Sequence, residues 1–528
     1  MFRLSRKFPA LLILAAAGIA RGEDVQRGVQ RYRELLHDIN RAVVFTIANR
    51  TTSDYELDLA RRAGSDVLIR GWFKWGETKP FSQLQPLAEK AHQFGALFGG
   101  GITCSALYDK ENGITHAQLL DMATRGADGQ LVDAWNRPGI RHGSLSSPAY
   151  LDYLFRWCRE EIDAGADYLF MDENGAALSP KEGYDDRSLA DFRYYLRKEC
   201  PRTRGWPPAD TRWHDQFKID LRDRAVCPDG TMASFDYREY LRANRLIRNP
   251  KNNPLLPLWR QFRPWRDDRA WKTLTDRIRA YANEHHREVL ISANGLARYV
   301  DLQVLGIWKK WNTKDGHIDL SENQLPYWHS LVESGRALAG KRVPVVLFHD
   351  WGMGTPPFKW LAVPPSDREV WMRTRGAEIY AAGAFFAFPV IGPFGCDSGK
   401  DGTISVIAQQ AAFYKAHRDL YLNADFLTSE GLSSETPNLS LALWSIRNSN
   451  AIVLHIINRN VVNGVLNPQK NVNLAVPLDR APSRVSLLSP DFKGERRGKA
   501  RLSGGRLEVA LGNLDAYTIA ILRYDRPR

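Results

Sequence analysis

The chain has 528 residues, too many for one hydrophobic core, so two or more domains are expected. An apolar content of 44% is that of a globular protein rather than a disordered one. The formal charge of +13 comes without an arginine-rich tract or zinc-finger spacing, which argues against nucleic acid as a partner.

The first residues, MFRLSRKFPALLILAAAGIARG, have the three parts of a secretory signal. Arg3, Arg6 and Lys7 form the charged part, Phe8 to Ile19 the apolar part, and Gly18-Ile19-Ala20 a small-x-small cleavage site. Residues 1–20 are therefore read as a leader, and the protein as secreted or periplasmic. The apolar part is too short to span a bilayer. No later segment has about 18 uninterrupted apolar residues, so no stable membrane insertion is expected after the leader is removed. Without the leader the formal charge is +10. That excess suits an acidic polymer or a membrane surface.

From residue 42 onward, short β-branched runs alternate with amphipathic ones. The expected strands are 42–49, 66–72, 96–104, 167–172, 288–293, 318–321, 344–349 and 385–390. Helical runs such as FSQLQPLAEKAHQFG and SPAYLDYLFRWCREEIDAG lie between most of them. The second run opens with Ser147 and Pro148, a cap and a first-turn proline, and stops at Gly165. Repeated strand–helix units imply a parallel sheet, and eight of them imply a (β/α)8 TIM barrel of α/β class over residues 21–423. A doubly wound open sheet shares the alternation. But no glycine-rich phosphate loop follows the first strand, and polar or aromatic residues stand at nearly every strand exit.

Two regions break the rhythm. Residues 176–266 read as an insertion after the fourth strand. Beyond 424 the runs LSLALWSIR, AIVLHIINRN, NVNLAVPL, RVSLLSPDF, RLEVAL and YTIAILRYD alternate and are separated by Asn, Gly and Pro. Residues 424–528 are therefore expected to form an antiparallel β-sandwich. The five cysteines, Cys104, Cys158, Cys200, Cys227 and Cys396, are too few and odd in number for a disulfide framework. Cys200 and Cys227 share a polar, proline-rich region and could form one bridge after export.

The fourth expected strand, in GADYLFMDENG, runs through apolar residues and ends in two adjacent acids, Asp172 and Glu173. The carboxyl ends of barrel strands form the active face, which explains charge at that point. Successive strand side chains point oppositely, so both acids can face the mouth only if the chain turns at once, as Gly175 permits. Glu322 and Asp350 stand at later expected exits. Paired acids across a barrel mouth suit glycosidic bond cleavage: one attacks or stabilises the anomeric carbon, the other protonates the leaving oxygen. Trp72, Trp75, Trp308, Trp311, Trp351 and Trp360 could stack on sugar rings, and Asn294 and His349 could bind hydroxyls. No metal site and no cofactor are expected. The pair His349-Asp350 could join Asp172 around a metal, but no H-x-H follows the first strand.

Several stretches carry a family resemblance. SPAYLDYLFRWCREEIDAGADYLFMDE, GYDDRSLADFRYYL, LISANG, RGAEIYAAGAFFAFPV, AFYKAHRDLYL and IVLHIINRN resemble exported glycoside hydrolases with a (β/α)8 barrel and a C-terminal β-sandwich. More loosely, they resemble the dextranase-like family 66. The resemblance implies that Asp172 is the fourth-strand nucleophile of a retaining enzyme and that Glu322 is the acid/base. Another large barrel clan ends its fourth strand Asn-Glu and its seventh in Glu. Here the order is Asp-Glu-Asn and the seventh ends in Asp350, so Glu173 and Asp350 remain alternatives.

The expectation is an exported glycoside hydrolase acting on a poly- or oligosaccharide. Its rival is a catalytically silent carbohydrate-binding barrel. The insertion carries Arg187, Arg193, Arg197, Lys198, Arg202, Arg204, Arg238, Arg242, Arg245 and Arg248. If it lies over the mouth, these charges would favour an anionic glycan. Alternatively they pair with Asp185, Asp186, Asp191, Glu199 and Glu239 within the insertion's own helices.

Overall fold

A computed structural model describes residues 9–48, 51, 53–72, 83–174, 182–206, 211–248, 250–307, 313–349, 364–392 and 396–525. Eight parallel strands carry the barrel: β1 (Phe45–Ile47), β2 (Val67–Ile69), β3 (Leu97–Thr103), β4 (Tyr168–Asp172), β5 (Leu290–Ala293), β6 (Gln303–Gly306), β7 (Val345–Phe348) and β8 (Phe385–Pro389). Their hydrogen-bonded order is β5-β4-β3-β2-β1-β8-β7-β6, and a parallel bridge between Asn294 and Val304 closes the ring. The strands thus stand in chain order around the barrel.

Side-chain alternation builds the layers. In β4, Tyr168 and Phe170 belong to the central core, while Leu169 and Met171 face the helices. Gly99 and Gly100 in β3 leave room for large neighbours. A Cβ on Gly99 would lie 2.5 Å from the Tyr168 ring, and one on Gly100 2.2 Å from Glu161 Oε2. Gly99 and Gly100 are therefore packing devices.

The expected sixth strand was misplaced. Only residues 294–302 separate β5 from β6, and no helix intervenes. A search for strand–helix alternation passes over QVLG for that reason. The apolar run around 318 instead forms a two-stranded hairpin, His317–Ile318 pairing with Thr313–Lys314.

The N-terminal helix Pro9–His37 docks against the amino rim of the barrel. Tyr32 Oη donates to Asp167 at 3.0 Å and Arg31 Nη2 to Asp66 at 3.4 Å, each acid just before a barrel strand. Residues 1–8 of the expected leader lie outside the described residues. Among the described residues, no helix is long and apolar enough to cross a membrane.

The insertion has its own aromatic core, including Tyr184, Phe192, Trp213, Tyr237, Trp259 and Phe262. It does not stop at 266. Helix Leu256–Glu284 begins in that core and then packs Trp271, Leu274 and Ile278 onto the barrel's outer layer. All five cysteines are free and buried, so Cys200 and Cys227 are not bridged.

Beyond residue 424, a six-stranded and a four-stranded antiparallel sheet form the β-sandwich. Strand Ala451–Asn458 shows why its sequence is apolar on both faces. Leu454 and Ile456 fill the sandwich, while Val453 and Ile457 join the barrel core together with Trp444, Tyr517 and Ile519.

Candidate active site

The carboxyl ends of β2, β3, β4 and β5 bring one polar cluster together. Asp172 continues the inward direction of Phe170. Its Oδ2 accepts from Arg70 Nη2 at 2.6 Å and its Oδ1 from Asn294 Nδ2 at 2.8 Å. Asn294 is itself fixed, since its Oδ1 accepts from the Gly306 amide at 3.2 Å. Arg70 lies over the rings of Phe170 and Phe348, 4.9 and 5.8 Å from their centroids. The guanidinium thus rests on an aromatic floor while it reaches the acid.

Strand parity alone would send Glu173 outward, toward the helices. It does not go there, because its φ is +55°. The left-handed turn falls on the acid itself; Gly175, the expected turn residue, lies outside the described residues. A left-handed non-glycine residue costs roughly 1–2 kcal/mol, and Arg70 at the end of β2 shares that conformation with φ +56°. Such strain at the ends of the two strands that flank β3 is a mark of a functional site.

Glu173 has different neighbours from Asp172. Trp135 Nε1 donates to Oε1 at 3.0 Å and to Oε2 at 3.2 Å, and Ser105 Oγ donates to Oε2. Burial, and then the charge on Asp172, hold the Glu173 carboxyl above its ordinary range. The hydrogen bonds from Ser105 and Trp135 and the nearby His142 pull it part of the way back. His142 is buried, and its Nδ1 lies 2.7 Å from Glu182 Oε2. Two adjacent acids thus sit in opposite environments. Asp172 faces a cation and an amide, whereas Glu173 is biased toward its protonated form.

The expected residues fare unevenly. Asp172, Glu173 and Asn294 come together. Trp72 sits at the same end of the barrel but is 1% exposed, so it packs into the core instead of offering a face to a sugar. His349 follows β7, is equally buried, and meets Trp371 edge-on at 5.7 Å. Burial pushes its imidazole down to about 3, so it is neutral. Trp75, Trp308, Trp311, Asp350, Trp351 and Trp360 lie outside the described residues.

Glu322 is held elsewhere. Its carboxylate accepts from Gln324 Nε2 at 3.0 Å and its carbonyl from Arg375. The flanking residues bind the sandwich: Arg459 donates to the Leu320 and Ser321 carbonyls, and Ser440 Oγ to Asn323 Oδ1 at 2.9 Å. The segment belongs to the seam between the domains because it follows a hairpin rather than a barrel strand.

Sequence reasoning missed Arg70, Ser105, Trp135, His142 and Glu182. Arg70 was legible in principle, since it directly follows the apolar run VLI. Running the second strand on to Trp72 hid it. Trp135 and His142 lie on an excursion after β3, where Ala106–Tyr108 pairs with Ile140–His142. Nothing in its local periodicity aims it at the mouth. Among the described residues, no cluster of three His, Cys, Asp or Glu side chains could hold a metal ion.

No family model matches the chain, and no curated protein matches it by sequence. Solved structures do share its fold. One is a cycloisomaltooligosaccharide glucanotransferase of Paenibacillus sp., complexed with cycloisomaltoheptaose. It is 10% identical with a TM-score of 0.54, covering 92% of this chain and 85% of that one. Another is the alpha-L-fucosidase isoenzyme 2 of Paenibacillus thiaminolyticus, 10% identical with a TM-score of 0.53, covering 92% of this chain and 100% of that one. The barrel-plus-sandwich architecture is thus one found in carbohydrate-active enzymes. At this identity the likeness is one of fold.

Proposed function

We propose that the chain is an exported glycoside hydrolase in which Asp172 and Glu173 divide the chemistry. The observation that carries this reading is the split environment of the two acids. Asp172, set against Arg70 and Asn294, is the nucleophile at the anomeric carbon. Glu173, biased toward its neutral form, protonates the departing oxygen and afterwards activates water. Glu173 takes the role that the resemblance gave to Glu322, because Glu322 is tied into the domain seam. The substrate is a poly- or oligosaccharide, and residues 1–20 direct export.

The first experiment is release of reducing ends from a panel of polysaccharides, including sulfated and uronic ones, by the purified protein. Where a substrate is found, Asp172→Asn should lose activity by several orders of magnitude on every glycoside. Glu173→Gln should lose it on the natural glycan yet keep most of its kcat/KM on an aryl glycoside whose leaving group needs no proton, with kcat lowered because water then lacks its base. Binding without cleavage across the whole panel would favour a silent carbohydrate-binding barrel. Near wild-type activity in Asp172→Asn would end the two-acid reading.

A further inference from the structure

We infer that Trp135 is a positioning residue for Glu173, aiming one carboxyl oxygen of that acid into the barrel mouth. The inference rests on the reading of Glu173 as the proton donor.

Trp135 owes its place to no packed core. Among the described residues it joins none of the buried apolar clusters, and it remains partly exposed. Its backbone is held in an unfavourable state: φ is +51° at Trp135 and +56° at Asn136, two consecutive left-handed residues without a glycine. The turn is closed by the Arg137 amide, which donates to the Ala134 carbonyl at 2.9 Å, and is supported by the neighbouring ladder and the indole's own hydrogen bond. Asp133 bridges to Arg141 on the ladder strand and pairs with its guanidinium. The bond joins two strained positions, because Glu173 is left-handed as well. Such a conformation persists only where its surroundings over-determine it, and here they converge on one carboxyl group.

The donors distinguish the two oxygens. Oε2 accepts from Ser105 Oγ and lies within reach of the indole N–H, whereas Oε1 has the indole alone. An oxygen already accepting two donors is the poorer site for a proton. The structure therefore assigns the transferable proton to Oε1. The titratable and charged groups around Glu173 are Asp172 on its own strand, His142 on the excursion and the buried Tyr150 phenol on the following helix, with Glu182 behind His142 and Arg70 behind Asp172.

The test uses the full chain and needs no substrate. Infrared difference spectra of wild type against Glu173→Gln identify the protonated-carboxyl band of Glu173, and its loss with rising pH gives a midpoint. Trp135→Phe keeps a ring but removes the donor to the carboxylate. Losing one hydrogen bond to a charged group should raise the midpoint by about one to two pH units. A second readout leaves position 135 unchanged. One indole N–H proton resonance should titrate with the same midpoint and stop titrating in Glu173→Gln. If the band is present but Trp135→Phe leaves its midpoint unmoved, or if no indole resonance follows it, the positioning role is overturned and the proton-donor reading stands. A Glu173 whose protonated band is lost at or below the ordinary carboxylate range overturns both.

Discussion

Arg70 Nη2 meets Asp172 Oδ2 at 2.6 Å, tying the carboxyl end of β2 to that of β4 over the end of β3. Each side chain is 12% exposed, so the pair is shielded from water and each partner needs the other. Replacing Arg70 with Met should leave an uncompensated acid. Stability should fall by roughly 3 kcal/mol, read by urea unfolding, and activity on any cleaved glycan by about a hundredfold or more. Lysine should rescue only part of this, because it lacks the planar fork. A Met variant with unchanged kcat/KM would show that Asp172 does not depend on this partner.

A pH dependence of stability follows from two buried histidines. Burial pushes both His349 and His455 down to about 3. Unfolding returns each imidazole to its ordinary value of about 6.5. Below that pH the unfolded chain binds protons that the folded chain refuses. Stability should therefore be full above about 6.5 and decline as pH falls toward about 3, by up to about 1.4 kcal/mol per pH unit for each histidine. His455, whose Nδ1 lies 2.6 Å from Tyr517 Oη, can be tested alone. His455→Asn should flatten the slope of unfolding free energy against pH by close to one proton. An unchanged slope would assign the decline to other groups.

The sandwich is expected to be indispensable to the barrel. Glu378 and Arg375 form a buried pair on the barrel side of the seam, and Ser440 Oγ reaches Glu378 Oε1 across it at 2.5 Å. Trp444 Nε1 donates to the Ala381 carbonyl at 2.8 Å, and Arg373 pairs with Asp491 and Asp515 of the sandwich. Ser440→Ala should cost about 1–3 kcal/mol, because it removes a donor from a buried carboxylate. A chain ending at residue 423 should expose the seam and aggregate, as light scattering would show. A monomeric and active truncation would make the sandwich a dispensable module.

Ion pairs cancel part of the insertion's positive charge. Arg202 pairs with Glu199, Arg238 with Asp186 and Arg242 with Glu239, while Arg187 pairs with Asp121 beside the insertion. Arg193 instead donates to the Phe235 carbonyl and Arg204 to Gln261, so positive charge remains that no acid offsets. The kcat/KM for an anionic glycan should therefore fall more steeply with salt than that for a neutral glycan of equal length. Equal, flat responses would remove the preference for acidic glycans.

Much of the architecture was legible in the sequence because it rests on local periodicity. Apolar runs of strand length, helices opened by Ser147-Pro148 and closed at Gly165, and the change of rhythm at 424 depend on neighbours a few residues apart. The same locality made Asp172 conspicuous, since two acids end an apolar strand. It failed where no helix separates two strands, so β6 was passed over and Glu322 took on the look of a barrel exit.

The partners of the two acids were decided by the tertiary structure alone. Arg70 and Asn294 stand 102 residues before and 122 residues after Asp172, and Trp135 stands 38 residues before Glu173. Closing the ring of strands brings them within hydrogen-bond distance, and no pattern along the chain records which exits will face one another. Nor does composition reveal that Glu173 adopts a left-handed φ, which keeps it at the mouth when strand parity would turn it away. The sequence by itself determined that charged groups gather at the end of the fourth strand. The closed barrel decided that one of them meets a cation while its neighbour is buried among weaker donors, because burial and hydrogen bonding depend on distance through space.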